Sequence, residues 1–145
     1  MSMLAKAIAI AGKAFEDKVD KGGKPYILHC LRVMYSVEYL GEEAMIVAVL
    51  HDLIEDTDWT VEMLVAEGFA RPTVEMIKMM THIDNEPYDD YIARVALNKV
   101  TRRVKMGDLK DNSNIHRMKG LREKDFKRLE KYFRAYAYLK EWDAE

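Results

Sequence analysis

Two adjacent residues, His51 and Asp52, interrupt a long apolar segment and are the most informative pair in the sequence. The segment AMIVAVLHDLIED is apolar nearly all round until His51, which predicts a central, buried helix. On one helix, His51 and Glu55 would lie four residues apart, as would Asp52 and Asp56, so the four side chains would share a broad face. Buried ionisable groups are costly without partners. A cation is such a partner, and imidazole with carboxylate suits Mn, Fe, Zn or a similar divalent ion.

Two more residues have the chemistry of metal ligands and occur on other predicted helices. His29 follows the apolar run PYIL, and Asp108 lies within VKMGDLKDN, an acid on a mostly apolar helix. Two imidazoles and two carboxylates leave coordination positions open for water and a phosphate oxygen, as metal-assisted catalysis requires. The sequence therefore predicts one divalent metal ion held by four ligands: His29, His51, Asp52 and Asp108.

Each of these residues also has a simpler interpretation. A lone histidine on an apolar helix, as His29 is, is usually a satisfied core residue. Asp108 could cap its helix or pair with Lys105 or Arg102. What favours the metal is the order of the four residues, because a His, a His-Asp pair and a distant Asp each fall on a separate predicted helix. The acids at the end of the third helix could likewise form a solvated terminus: Glu55, Asp56 and Asp58.

The elements that must position these residues are all predicted to be helices. Gly41 and Gly68 favour helix ends, Thr60 favours a helix start, and Pro72 suits a first helical turn. His82 and His116 have polar or loop neighbours and are predicted to lie on the surface. The chain is thus expected to be all-α, a single compact helical domain over residues 1–145. The apolar spacing predicts helices over 3–19, 26–40, 44–56, 61–67, 88–97, 99–112 and 123–141, with one more beginning near Pro72.

Composition narrows the class of protein. With 145 residues, 49% apolar and 33% charged, the chain has the balance of one globular domain. A net charge of -2 gives no reason to expect a nucleic-acid partner, although a small anionic substrate is compatible with it. The single cysteine, Cys30, excludes an internal disulfide and favours a reducing compartment. No segment predicts a signal peptide or a membrane span, so we expect a cytoplasmic protein; its oligomeric state is left open.

These motifs, in this order, resemble the HD phosphohydrolase superfamily. KPYILHCLRV, AVLHDLIEDT and VKMGDLKDN are most similar to the hydrolase domain of the RelA/SpoT family, including its small stand-alone alarmone hydrolases. The resemblance covers about residues 4–140. It implies an HD-domain bundle of about eight or more helices and a single Mn²⁺. The implied reaction is the hydrolytic removal of the 3′-pyrophosphate from guanosine tetra- or pentaphosphate.

The resemblance also assigns roles to individual residues. The four predicted metal ligands keep that role, and Glu55 and Asp56 match the acidic pair that activates or orients the attacking water. The residues that match substrate-binding positions are Lys21, Asn112, Arg128 and Tyr132.

The sequence departs from the family pattern at two positions. Asp20 stands where the family has an arginine that helps to hold the nucleotide, and Phe15 stands where it has a histidine. The absence of this arginine is expected to weaken binding of the alarmone rather than to change the chemistry. Three functions therefore compete: an alarmone 3′-pyrophosphohydrolase, an HD phosphohydrolase for another phosphorylated nucleotide, and a non-catalytic metal- or nucleotide-binding regulatory module.

Overall fold

The computed structural model describes residues 2–144, which form nine α-helices and two short 3₁₀-helices. The described residues contain no strand, and one isolated antiparallel bridge joins Val19 to Pro25. The expectation of an all-α fold is confirmed. The helices are α1 Met3–Ala14, α2 Ile27–Ser36, α3 Glu42–Val49, α4 Leu53–Asp56, α5 Val61–Ala66, α6 Arg71–Met79, α7 Tyr88–Ala96, α8 Lys99–Asn112 and α9 Glu123–Glu141, and the 3₁₀-helices are Glu38–Leu40 and Ile115–Arg117.

Several helix ends lie where the sequence places them. The Thr60 hydroxyl accepts a hydrogen bond from the Met63 N–H at 3.2 Å and begins α5. Gly41 and Gly68 have φ values of 101° and 100°, which suit glycine because it lacks a Cβ. Pro72 lies in the first turn of α6, where its missing N–H leaves no helical bond unmade.

The first two helices are shorter than predicted. Helix α1 ends at Ala14 rather than at residue 19, and α2 ends at Ser36, before a separate 3₁₀-helix. The segment between them folds back on itself, because the Asp20 N–H donates to the Lys24 carbonyl and the Tyr26 N–H donates to the Lys18 carbonyl. These cross-loop bonds replace the helical ones that a continuous α1 would have made.

The predicted third helix is broken at the His-Asp pair. Helix α3 ends at Val49, residues 50–52 form a turn, and the short α4 begins at Leu53. Nδ1 of His51 lies 2.6 Å from the Ala48 carbonyl, the group that would accept the Asp52 N–H in a continuous helix. The side chain of His51 thus competes with the helical backbone for one acceptor. The expected continuous helix over 44–56 is therefore wrong, although the Asp56 N–H still donates to the Asp52 carbonyl across the start of α4.

Helix α3 is the centre of the packing and brings the site-bearing elements together. Its residues Ala44 and Ile46–Val49 are buried, as its continuous apolar sequence requires. It packs against α1, α2, α6 and α8, while α2 and α8 also pack against each other and α9 covers α8. A Cβ on Gly107 of α8 would lie 2.2 Å from the Ser36 hydroxyl of α2, so glycine allows these helices to approach closely. Across residues 2–144, every helix is too short or too polar to cross a bilayer.

Gly22 offers a test of the loop that follows α1. A Cβ at this position would lie 2.1 Å from the carbonyl oxygen of Arg117, so Gly22→Ala must displace either the loop or the second 3₁₀-helix. We expect the free energy of unfolding, measured by urea denaturation, to fall by about 1–3 kcal/mol. Gly12→Ala is the matched control, because Gly12 lies within α1 with no atom near its missing Cβ. That variant should be more stable than the wild type by about 0.5–1 kcal/mol, and equal loss in both variants would contradict the close approach.

Candidate metal centre

The structure brings the four predicted ligands into one cluster. His29 comes from α2, Asp108 from α8, and His51 and Asp52 from the turn between α3 and α4. One ligand atom from each residue lies within 4.8 Å of all the others. The Nε2 atom of His29 is 3.1 Å from Asp108 Oδ1, and the Nε2 atom of His51 is 3.1 Å from Asp52 Oδ2. Two imidazoles and two carboxylates at these spacings can hold one divalent cation.

Both histidine rings are oriented by a hydrogen bond on the side away from the cluster. Nδ1 of His29 lies 2.6 Å from Asp111 Oδ2, and Nδ1 of His51 lies 2.6 Å from the Ala48 carbonyl. Oxygen acceptors at Nδ1 favour the tautomer that keeps the Nε2 lone pair for a metal. Nε2 of His29 is buried and, although Asp108 Oδ1 is 3.1 Å away, has no partner of good hydrogen-bond geometry among the described residues. A buried nitrogen of this kind fits the role of a metal ligand.

The cluster concentrates charge inside the protein. Burial disfavours the imidazolium form of His51, but Asp52 and Asp108 outweigh burial and raise the pKa of His51 well above its ordinary value. Burial also disfavours ionised Asp108, yet Lys105 and His51 hold the pKa of Asp108 well below its usual range. The carboxylates therefore demand a positive partner. A divalent cation would meet that demand in place of protons on the histidines.

Neighbouring side chains that sequence reasoning did not assign to the metal site also hold its carboxylates. The Tyr26 hydroxyl donates to Asp52, and the Lys105 ammonium lies 2.9 Å from Asp108 Oδ2. Asp108 therefore pairs with Lys105, as the alternative to a metal role expected, and it also lies in the cluster. Burial disfavours ionised Asp111, but His29 and Arg32 lower the pKa of Asp111 to about 2. The spacing of Asp111, one helical turn after Asp108, was the only sequence signal for it.

The two predicted catalytic acids are neighbours on α4 and lie in different surroundings. The Glu55 carboxylate accepts a hydrogen bond from the His82 N–H at 3.0 Å and lines a cavity of about 210 Å³ that also reaches Asp108. Asp56 forms an ion pair with Lys18 at 3.1 Å. His82 and His116 are exposed, as predicted. We call this space the Glu55 cavity; its walls are Glu55, His82, Tyr88, Tyr91, Lys105, Asp108, Asn112, Lys131 and Tyr132.

All four predicted substrate-binding residues line one further space beside the cluster, which we call the inner cavity. Its volume is about 280 Å³, and it shares Asn112 and Tyr132 with the Glu55 cavity. Asn112 also donates to Asp108 Oδ1 at 3.0 Å, so the cavity wall contacts a predicted ligand. The inner cavity is lined by Lys18, Val19, Asp20, Lys21, Gly22, Tyr26, Asn112, Asn114, Arg117, Met118, Arg128 and Tyr132.

The two departures from the family pattern have structural roles here. Asp20 accepts hydrogen bonds from the N–H groups of Gly22 and Lys24, both at 2.9 Å, and its Oδ2 lies 2.6 Å from Arg117. Burial disfavours ionised Asp20, but these bonds hold its pKa below the usual value. Asp20 therefore shapes the loop and places a guanidinium in the cavity wall. Phe15 is buried and packs edge-on against Tyr26, with ring centroids 5.2 Å apart.

A family model decides the classification. The model described as HD domain matches residues 7–111, which include all four clustered ligands. The chain belongs to the HD-domain family.

Part of the chain is also similar in sequence to curated enzymes. The chain is 33% identical over 87 residues to a guanosine-3′,5′-bis(diphosphate) 3′-pyrophosphohydrolase of Aquifex aeolicus, covering 59% of the chain and 12% of the relative. The corresponding enzyme of Haemophilus influenzae is 36% identical over 77 residues, covering 52% of the chain and 11% of the relative. The chain therefore spans only about 12% of the length of the relatives it matches.

One solved structure confirms the fold. It belongs to a metazoan ortholog of SpoT that hydrolyses ppGpp, and it superposes with a TM-score of 0.78 over 96% of this chain and 85% of that one. At 17% sequence identity, the similarity establishes that the two chains share a fold.

The metal assignment predicts a cation-dependent rise in melting temperature. Binding to the folded state alone adds about 2.7 kcal/mol at a cation concentration 100 times the dissociation constant. We expect Mn²⁺ to raise the melting temperature of chelator-treated protein, and Asp52→Ala to abolish most of that rise by removing one ligand. Asp58→Ala, which removes an exposed acid from the same region, is the control and should respond like the wild type. A full Mn²⁺ response in Asp52→Ala would count against the assigned cluster.

Proposed function

We propose that this HD-domain protein is a metal-dependent phosphohydrolase that removes the 3′-pyrophosphate of guanosine tetra- or pentaphosphate. One observation carries the proposal: the cluster of two histidines and two aspartates adjoins a cavity lined by Lys21, Asn112, Arg128 and Tyr132. Asn112 joins the two features, since it donates to Asp108 and lines the cavity. A phosphorylated group in the cavity would thus lie beside the proposed metal.

The charge of the surrounding surface favours an extended anionic substrate. Beyond the inner cavity lies a wider one of about 640 Å³, the outer cavity, which shares Lys21, Met118 and Arg128 with it. Burial and the repulsion of the neighbouring Arg128 lower the pKa of Lys21, while Asp125, which pairs with Arg128 at 2.8 Å, opposes that repulsion in part. An anion between the two cations would relieve that repulsion. The outer cavity is lined by Lys21, Met118, Lys119, Gly120, Leu121, Arg122, Lys124, Asp125 and Arg128.

The proposed resident metal is a single Mn²⁺, held by His29, His51, Asp52 and Asp108. When bound, it would lower the pKa of a coordinated water and polarise a phosphoryl oxygen. The protein's own groups fix the ligands: the Tyr26 hydroxyl donates to Asp52, and Lys105 pairs with Asp108. Lys105 thereby keeps Asp108 ionised and able to bind a cation.

Glu55 is the proposed proton acceptor for the attacking water. It shares the Glu55 cavity with Asp108 and Asn112, and the His82 N–H orients its carboxylate. Asp56 remains the second predicted acid, and its partner Lys18 lines the inner cavity. The proposed reaction adds water across the 3′ phosphoester bond. It leaves guanosine 5′-diphosphate from the tetraphosphate, or guanosine 5′-triphosphate from the pentaphosphate, each with a free 3′-hydroxyl, and releases pyrophosphate.

The similarity to enzymes named guanosine-3′,5′-bis(diphosphate) 3′-pyrophosphohydrolase supports the choice of nucleotide. Asp20 does not present a bare negative charge to such a substrate, because Arg117 lies 2.6 Å from it in the same cavity wall. We further propose that the protein acts in the cytoplasm on this small molecule, without a nucleic-acid partner.

A nucleotide panel tests the proposed function. Wild-type protein with Mn²⁺ is incubated with guanosine tetraphosphate, guanosine pentaphosphate, nucleoside monophosphates and dinucleotide phosphates, and products are separated by anion-exchange chromatography. We expect pyrophosphate with guanosine 5′-diphosphate from the tetraphosphate and with guanosine 5′-triphosphate from the pentaphosphate. Asp52→Ala is the control for contaminating activity. Faster turnover of another nucleotide would show that the alarmone is not the preferred substrate. Binding of metal and nucleotide without turnover would show a regulatory module.

Replacement of Glu55 separates proton transfer from metal binding. Glu55→Gln keeps the size of the side chain but removes its charge, so we expect kcat to fall about 10²–10⁴-fold. Mn²⁺ affinity should stay near the wild-type value, because Glu55 is outside the ligand cluster. Glu62→Gln, an exposed acid at the start of α5, provides the control. A near-normal kcat in Glu55→Gln would show that Glu55 only orients the loop at His82.

A further inference from the structure

Asp111 is a largely buried carboxylate that contacts the predicted metal ligand His29 on the side of the ring away from the cluster. It lies on α8 one turn after Asp108, but it is not one of the clustered ligands. Its Oδ2 is 2.6 Å from His29 Nδ1, and its Oδ1 accepts from Arg32 Nε at 2.7 Å. The carboxylate therefore faces the side of the His29 ring opposite to the cluster.

A second arginine connects Asp111 to the wall of the inner cavity. Nη1 of Arg117 donates to both the carboxylate and the backbone carbonyl of Asp111, at 2.7 and 2.8 Å. Nη2 of Arg117 lies 2.6 Å from Asp20, which in turn accepts the N–H groups of Gly22 and Lys24. A continuous chain of charged hydrogen bonds thus runs from His29 to the loop over residues 20–24.

The two histidines of the cluster differ in how their rings are held. His51 donates to a backbone carbonyl, which no side-chain substitution removes, whereas His29 depends on a side chain. Carboxylates behind a metal-binding histidine fix its ring and tautomer and increase its basicity. Arg32 and Arg117 hold the Asp111 carboxylate on two sides, so little freedom is left for the His29 ring.

We propose that Asp111 is a positioning residue that orients His29 for the metal, and that Arg117 and Asp20 anchor Asp111 to the loop of the inner cavity. The inference rests on the metal-binding part of the proposed function. It adds a support for one ligand and a physical connection between the metal centre and the substrate cavity.

Metal affinity tests this role. We expect Asp111→Ala to weaken Mn²⁺ binding, measured by isothermal titration calorimetry, about 10–100-fold. Arg117→Ala should weaken it by a smaller factor, because it loosens Asp111 without removing it. Asp143→Ala is the matched control: Asp143 is also a largely buried carboxylate held by two arginines, Arg102 and Arg103, but it has no link to His29. Its Mn²⁺ affinity should equal that of the wild type.

The Nδ1 proton of His29 gives a readout that needs no metal. This proton is present both in the metal-binding tautomer and in the doubly protonated ring, so NMR of wild-type protein should show it downfield and slow to exchange. Asp111→Ala should lose the signal. If that variant fails to fold, Asp111→Asn replaces it; the neutral acceptor should move the signal upfield and weaken Mn²⁺ binding by a smaller factor.

Unchanged affinity and an unchanged proton signal in a folded Asp111 variant would overturn the positioning role. Wild-type protein that binds neither Mn²⁺ nor Zn²⁺ would overturn it as well, together with the proposed metal centre. Wild-type protein that binds Mn²⁺ but hydrolyses no nucleotide would refute only the proposed reaction, and the measured affinities would still decide the role of Asp111.

Discussion

The rest of this structure depends on one constraint: two largely buried carboxylates must have positively charged or hydrogen-bonding partners. Asp52 and Asp108 lie beside two buried imidazoles in a densely packed interior, where ionised groups without partners are strongly disfavoured. Packing alone cannot satisfy them, so the surrounding helices supply specific groups instead. The Tyr26 hydroxyl binds one carboxylate, and Lys105 pairs with the other. With these partners the carboxylates stay ionised. The neighbouring histidines can then either be protonated or, as neutral rings, bind a divalent cation together with the carboxylates.

The fold meets this constraint by bringing three separate elements to one point. Helix α3 supplies apolar surface on all sides and lets α2 and α8 pack against it and against each other. It then stops at the His-Asp pair, because the His51 ring takes the carbonyl that the next helical bond would need. His51 and Asp52 therefore lie in a turn, where they join His29 and Asp108 in the cluster. Glu55, on the short helix that follows, lines a cavity that also reaches Asp108.

Much of this arrangement can be predicted from the sequence, since apolar spacing and residue order carry it. The bounds of α8 and α9 and the cap at Thr60 follow from local signals, and the clustering of the four predicted ligands follows from the order in which they occur along the chain. The break at His51 could not be predicted, because it depends on a side-chain hydrogen bond that competes with the helix. Two further contacts, Asp111 with His29 and Arg117 with Asp20, could not be predicted either, because each joins residues that are far apart in the sequence. Local patterns thus predict elements and ligands, whereas the supports of the ligands depend on tertiary contacts.

The position of Asp20 shows why a residue's charge alone does not define a binding site. In the sequence, an acid where relatives are expected to have an arginine argues against a polyanionic substrate. In the structure, the carboxylate of Asp20 accepts hydrogen bonds from two backbone N–H groups and pairs with Arg117, whose guanidinium it holds in the cavity wall. The same guanidinium binds Asp111, which holds His29. The acid at position 20 therefore helps to position Arg117 beside Asp111. The cations that the inner and outer cavities share are Lys21 and Arg128, of which Arg128 is paired with Asp125.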